Sequence, residues 1–150
     1  AHAPEGLAQL LVSSQPFVAC VPAAHALARR RALPLTALAG EPLALVSRSV
    51  SPDYHARIVG ACQAAGFTPQ PLHELQHWLS VVSLVAQRLA VALVPAALQQ
   101  AALSGAAFVP VKDPHGALPR YETRCLWNPE RDLPALGLFL AQVREVAQAG

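Results

Sequence analysis

The chain has 150 residues, 53% of them apolar and 13% charged, a balance that supports an ordered body with one substantial core or two small ones and excludes a disordered chain. Eleven basic against nine acidic side chains leave a net charge of +2, and Arg29, Arg30 and Arg31, the one basic cluster, are too little for a nucleic-acid footprint. No apolar run reaches the roughly 18 to 20 residues of a membrane helix and no signal segment opens the chain, so the sequence predicts a cytoplasmic protein without membrane contact.

In chain order, residues 9–12 and 17–21 read as strands separated by Ser13, Ser14 and Gln15, and residues 35–39 as a short helix after Pro34. Residues 42–46 form an apolar run short enough for a central strand, and Ser47, Arg48, Ser49, Val50 and Ser51 follow at its carboxyl end. Ser51 is a natural N-cap and Pro52 suits the first helical position. Tyr54, Ile58, Ala61, Cys62 and Ala65 then line one face before Gly66 ends the helix. In an open α/β sheet, ligands bind beyond the carboxyl ends of strands and at helix N-termini, whose N–H groups favour anions.

After Pro69 the order repeats: a weak strand at 72–75, a nearly all-round apolar helix at 78–87, and a short strand at 90–94 closed by Pro95. Strands are predicted at 107–111 and 121–127, with a Pro- and Gly-containing connection at 112–119. The chain ends in a helix with Asp132 as candidate N-cap, Pro134 in the first turn, and Leu136, Phe139, Leu140, Val143, Val146 and Ala147 at helical spacing. This alternation predicts an α/β fold with a mostly parallel sheet covered on both faces.

Enzyme chemistry lacks its usual marks. Cys20, Cys62 and Cys125 are odd in number and far apart, which argues against disulfides and a zinc knuckle and for reduced, buried thiols. The six His residues never fall at metal-ligand spacing on one helix face; His73 and His77 are four apart but straddle a strand end, so neither metal nor cofactor is expected. There is no GxSxG, GxGxxG or Walker lysine loop, and Glu41 and Glu74 read as isolated carboxylates. Ser51 and His55 stand four apart and could pair as nucleophile and base. The plainer reading is a cap with a solvated His one turn on, because the sequence shows no third group to orient the pair.

Pro16-Phe17-Val18 and the segment 21–28 around His25, then 35–42, 47–54, 64–67 and 85–95 with Val-Ala-Leu-Val-Pro at 91–95, together resemble the effector-binding domain of LysR-type transcriptional regulators. The resemblance implies a two-lobed, periplasmic-binding-protein-like fold with mostly parallel sheets. Residues 1–22 would belong to lobe I and the outgoing crossover, 23–113 to lobe II, and 114–150 to the return crossover and the end of lobe I. The first lobe would be incomplete, leaving the apolar face of the last helix partly uncovered.

The resemblance also implies a small-molecule effector held between lobes. Its contacts would be Ser47, Arg48, Ser49, Val50, Ser51, Pro52, Asp53 and Tyr54, with His77, Trp78, Leu79 and Ser80 from the start of the next helix. Ser49 and Ser51 would donate, N–H groups near Asp53 would hold an anion, and Tyr54 or Trp78 would form an aromatic wall. The Asp53 carboxylate would compete for the same helix terminus, and Arg48 would offset it as a carboxylate fork. Effector domains of this family assemble into homo-oligomers, for which the 52–65 helix with Arg57 and Gln63 is a candidate surface; DNA would be reached only through an N-terminal helix-turn-helix absent from this chain. A transport-type solute-binding protein is the competing class, and a Ser51–His55 hydrolase comes third. Arg88 and Ala90 replace the glycines usual around Leu89, at a turn that in the family takes positive φ, and Ala26 replaces a usual Pro.

Overall fold

The computed structural model describes residues 5–101, 103–131 and 134–149. The Asp132 cap lies outside the described residues. In chain order the elements are β1 (Ala8–Gln15), β2 (Phe17–Pro22), β3 (Leu33–Pro34), β4 (Leu43–Val46), α1 (Pro52–Ala64), β5 (Pro71–Leu75), α2 (Trp78–Ala86), β6 (Val91–Pro95), β7 (Ala106–Lys112), β8 (Tyr121–Trp127) and α3 (Pro134–Ala149). Short 3-10 turns occupy Ala26–Arg29, Leu35–Leu38 and Ala96–Ala101. Two compact units result: Pro16–Arg120, and Ala1–Gln15 with Tyr121–Gly150.

The larger unit is built on a six-stranded sheet of order β3-β7-β2-β6-β4-β5. β3 runs parallel to β7, and β6, β4 and β5 run parallel to one another, while β2 is antiparallel to both β6 and β7. The sheet is thus mostly parallel, as expected, with β2 reversed in its middle. β2, β4 and β6 are buried at every position, which is why they read as continuous apolar runs instead of alternating ones.

Strand alternation divides those residues between two helical layers. Val18, Cys20, Ala44, Val46, Ala92 and Val94 share a core with Val81, Val82 and Val85 of α2. Phe17, Ala19, Val21, Leu43, Leu45, Val91 and Leu93 are equally buried and point to the other face, where α1 buries Ile58, Ala61 and Cys62. Burial pushes the Cys20 thiol up to about 12 and the Cys62 thiol up to about 11. Cys125, expected to be buried as well, is only half-buried on β8. Above the ordinary thiol value the folded state keeps protons that the unfolded chain has released, so stability falls as pH rises from about 9 toward 11 to 12. A thiol reagent at pH 8 should therefore label Cys125 in the native protein and reach Cys20 and Cys62 only after denaturant is added; mass spectrometry of labelled peptides checks this.

The α2–β6 turn shows a cost of the sequence. Arg88 has φ 65°, the one positive value among the described residues other than Gly, whereas Ala90 is buried with no positive φ, so only one of the two replaced glycines is strained. Arg88→Gly relieves about 1 to 2 kcal/mol of left-handed strain and returns part of it as chain entropy. The expected outcome is a net gain of about 0.5 kcal/mol, read from the urea midpoint at unchanged slope.

The smaller unit pairs β1 with β8 antiparallel in register Ala8↔Trp127 to Gln15↔Tyr121, with an irregularity between Leu11 and Ser13. The sequence ends this first strand at residue 12; pairing with β8 carries it on through Ser13, Ser14 and Gln15. On α3 Leu140 is buried, but Leu138, Phe139 and Val146 are 75%, 54% and 66% exposed, so much of its apolar surface has no cover within the chain described.

Candidate functional site

One end of the six-stranded sheet collects the features that the sequence places around residues 47–54. The carboxyl ends of β4, β5 and β6 meet there, and because β2 is reversed its first residue joins them, with Phe17 opposite Pro95. The N–H of Ser47 donates to the carbonyl of Leu75 at 2.8 Å, fixing the loop after β4 to the end of β5.

Ser47 is the knot of that loop. It is buried, its carbonyl accepts from the N–H groups of Val50 and Ser51 at 3.0 Å each, and its Oγ lies 2.9 Å from Ser49 Oγ and accepts from the Ser49 N–H at 3.3 Å. Ser47 thus shapes the turn, while Arg48, Ser49 and Val50 are exposed beyond it. Ser51 occupies the N-cap position of α1, but at φ −144° and ψ 74° its side chain makes no capping bond. The expectation of a side-chain cap is therefore corrected: ψ falls short of the extended value a cap needs, and the helix N-terminus is left unclosed by its own N-cap residue.

Pro52 and Asp53 are exposed, and the Asp53 carboxylate lies 3.8 Å from Arg57 one turn on, an exposed pair of small energetic weight. Tyr54 is half-buried, its ring centroid 5.9 Å from that of Phe17, and Trp78 lies 5.8 Å from Phe17 at 63°. Phe17, itself buried, therefore joins the 47–54 loop to the start of α2 through aromatic contacts at ordinary edge and tilted geometry. The sequence offers Tyr54 and Trp78 as an aromatic wall and misses Phe17, whose side chain enters only because β2 runs against its neighbours. His77 stands at the N-cap of α2 without a side-chain cap, and Leu79 and Ser80 are exposed on the first turn. Phe17 also lines a recess of about 340 Å³ with Val111, Asp113 and Arg120, which contains none of the residues expected at the site.

Two further expectations fail together. His55 is not solvated: it is 6% exposed, and its Nε2 lies 3.1 Å from Oε1 of Glu74. Glu74 is accordingly not isolated, since the same oxygen also stands 3.8 Å from Nε of Arg48. The ring nitrogen that a serine nucleophile would use is thus engaged with a carboxylate on β5. A signal was present in the sequence, because His55, Ile58 and Cys62 share the i, i+3, i+7 spacing of a buried face.

Glu41 is likewise held. His25 Nδ1 accepts from the N–H of Leu27 at 3.1 Å, which leaves Nε2 protonated to donate to Glu41 at 3.0 Å. His25 thereby caps the turn that Ala26 enters without the usual proline, and pins it to the loop before β4. Among the described residues no three His, Cys, Asp or Glu side chains converge as a metal site, and no helix is long and apolar enough to cross a membrane.

Comparison with known proteins places these features in a family. The family model for the LysR substrate binding domain matches residues 1–148. The HTH-type transcriptional regulator IlvR of Caulobacter vibrioides is 34% identical over 146 residues, 97% of this chain and 47% of that regulator. YnfL of Escherichia coli, an uncharacterised HTH-type regulator, is 26% identical over 110 residues, 73% of this chain and 37% of its own length. The chain thus spans about half or less of these curated relatives. Among solved structures, the LysR family regulator CbnR superposes with a TM-score of 0.81 at 18% identity over 97% of this chain and 50% of that one. The BenM effector binding domain with its effector benzoate gives 0.77 at 18% identity, over 99% of this chain and 67% of that one. At such identities these structures establish the periplasmic-binding-protein-like fold alone.

Proposed function

The chain belongs to the LysR substrate-binding domain family, and from that premise we propose that it senses a small effector carrying a carboxylate or an aromatic ring for a DNA-binding transcriptional regulator. The observation that carries this reading is the convergence of the Phe17, Tyr54 and Trp78 rings with the Ser47–Ser49 loop at one end of the six-stranded sheet.

The roles follow from what each group has left to offer. With the Ser47 hydroxyl donating to Ser49 Oγ at 2.9 Å, the hydroxyls of Ser49 and Ser51 keep their protons for the ligand, and the backbone at the start of α1 favours its negative end. Tyr54 and Trp78 supply the flat apolar wall, and Val50, Pro52, His77, Leu79 and Ser80 border it. Arg48 is exposed, with its Nε 3.8 Å from the Glu74 carboxylate, a loose contact that leaves its guanidinium available to an acidic ligand.

Nothing in this scheme is catalysis: ligand acts by binding one arrangement of the regulator better than another, and can shift the balance only by that difference in affinity. DNA contact belongs to a helix-turn-helix outside this chain, and self-association through effector domains carries the shift to it in a cytoplasmic regulator. A solute-binding protein of the same architecture is disfavoured by the regulators among the relatives.

Isothermal titration of the intact protein with benzoate and other small carboxylates tests the reading. A saturable response that Trp78→Ala weakens at least tenfold at unchanged circular dichroism is expected; no response to any such acid, or a response indifferent to Trp78→Ala and Ser49→Ala alike, overturns it.

A further inference from the structure

The larger unit holds another recess, of about 410 Å³, lined by the last turn of α1 and not by its start. Its floor includes Leu35 and Ala61, both buried, and its rim includes Lys112 and His115, both exposed. We propose that this recess is a second small-molecule site, for a monocarboxylate with a compact apolar or single-ring body, sharing no residue with the serine-loop site.

Three observations carry it. The volume of about 410 Å³ lies within the range of roughly 300 to 1,000 Å³ typical of small-ligand sites. The apolar wall is made shallow by alanines: Ala61, Ala64 and Ala65 line it from α1, so a flat body lies close to the helix where a larger side chain would fill the space.

The rim is preorganised, with its carboxylate engaged by the backbone and its ammonium unpaired among the described residues. Asp113 lines the recess too, but its carboxylate is spent on the backbone, accepting from the N–H of Ala117 at 2.9 Å and of Leu118 at 3.0 Å. Its carbonyl also accepts from the Gly116 N–H at 3.1 Å, and Gly116 takes φ 62°, a value that suits Gly and keeps the turn tight. Lys112 has no ion pair among the described residues, and its backbone position is fixed opposite Pro34 in the β3–β7 ladder, which joins rim to floor. The recess therefore offers an apolar bed, the Thr36 hydroxyl and an unspent ammonium, the complement of an apolar acid.

Fluorine NMR of 4-fluorobenzoate with the intact protein tests the site. Ala64 is exposed, so Ala64→Leu fills the recess without entering the core. One bound component weakened at least tenfold by Ala64→Leu and about threefold or more by Lys112→Gln, and unchanged by Ser49→Ala and Trp78→Ala, is expected. Failure of the serine-loop reading would show separately, as no component sensitive to Ser49→Ala or Trp78→Ala. Binding indifferent to both Ala64→Leu and Lys112→Gln, or an effect of Ala64→Leu on self-association alone, overturns the proposal.

Discussion

Phe17→Ala is expected to lower the unfolding free energy by about 3 to 4 kcal/mol, the cost of removing a large aromatic from a buried site that cannot collapse around it. Phe17 is 4% exposed, pairs across the ladder with Pro95, and holds Tyr54 and Trp78 at centroid distances of 5.9 and 5.8 Å. Part of the loss comes from those two ring contacts, about 0.5 to 1.5 kcal/mol each. Urea unfolding measures the stability term. Phe17→Leu separates packing from positioning: it restores most of the volume, so its stability cost stays near 1 to 1.5 kcal/mol. It supplies no ring to hold Tyr54 and Trp78, so calorimetry with benzoate should show affinity reduced several-fold. Wild-type affinity in Phe17→Leu would mean that the aromatic contacts hold the core without shaping the ligand wall.

That residue illustrates what the sequence conveys and what it does not. The extents of β8, α1 and α2 follow from turn residues and apolar periodicity, and the all-buried runs at 43–46 and 91–95 announce central strands. Periodicity carries no strand direction. The reversal of β2, which delivers Phe17 to the ligand end, is set by pairing with β6 and β7, at sequence separations no local pattern spans.

Partnerships between distant side chains are hidden for the same reason. His55 and Glu74, and His25 and Glu41, read as solvated or isolated groups until α1 meets β5 and the Ala26–Arg29 turn meets the loop before β4. The Ser51 cap fails differently. Its identity and the following Pro52 fit a helix start, but the Ser47 carbonyl captures the Val50 and Ser51 N–H groups and sets a backbone angle at which the hydroxyl cannot cap. Arg88 shows the reverse case, because the positive φ at the α2–β6 turn was foreseeable from the glycines usual there.

Glu74→Ala carries the second large effect. It leaves the His55 ring, 6% exposed, without its partner on β5, and a buried polar group left unsatisfied costs about 1 to 3 kcal/mol. The Arg48 contact adds little, since that guanidinium is 73% exposed and 3.8 Å away. Glu74→Gln keeps an oxygen acceptor and should lose less than half as much. In a double-mutant cycle with His55→Leu, the coupling should reach about 1 kcal/mol or more, because removing both partners spares the penalty that either single change incurs. Ligand binding adds a readout that packing alone does not move. Arg48 belongs to the loop that Ser47 shapes, and Glu74→Ala removes a carboxylate close to its guanidinium, so an acidic ligand meets less negative charge there. Benzoate affinity should then hold or rise while stability falls, and its dependence on salt should steepen. Parallel losses of affinity and stability would show instead that Glu74 serves the site only by holding α1 against β5.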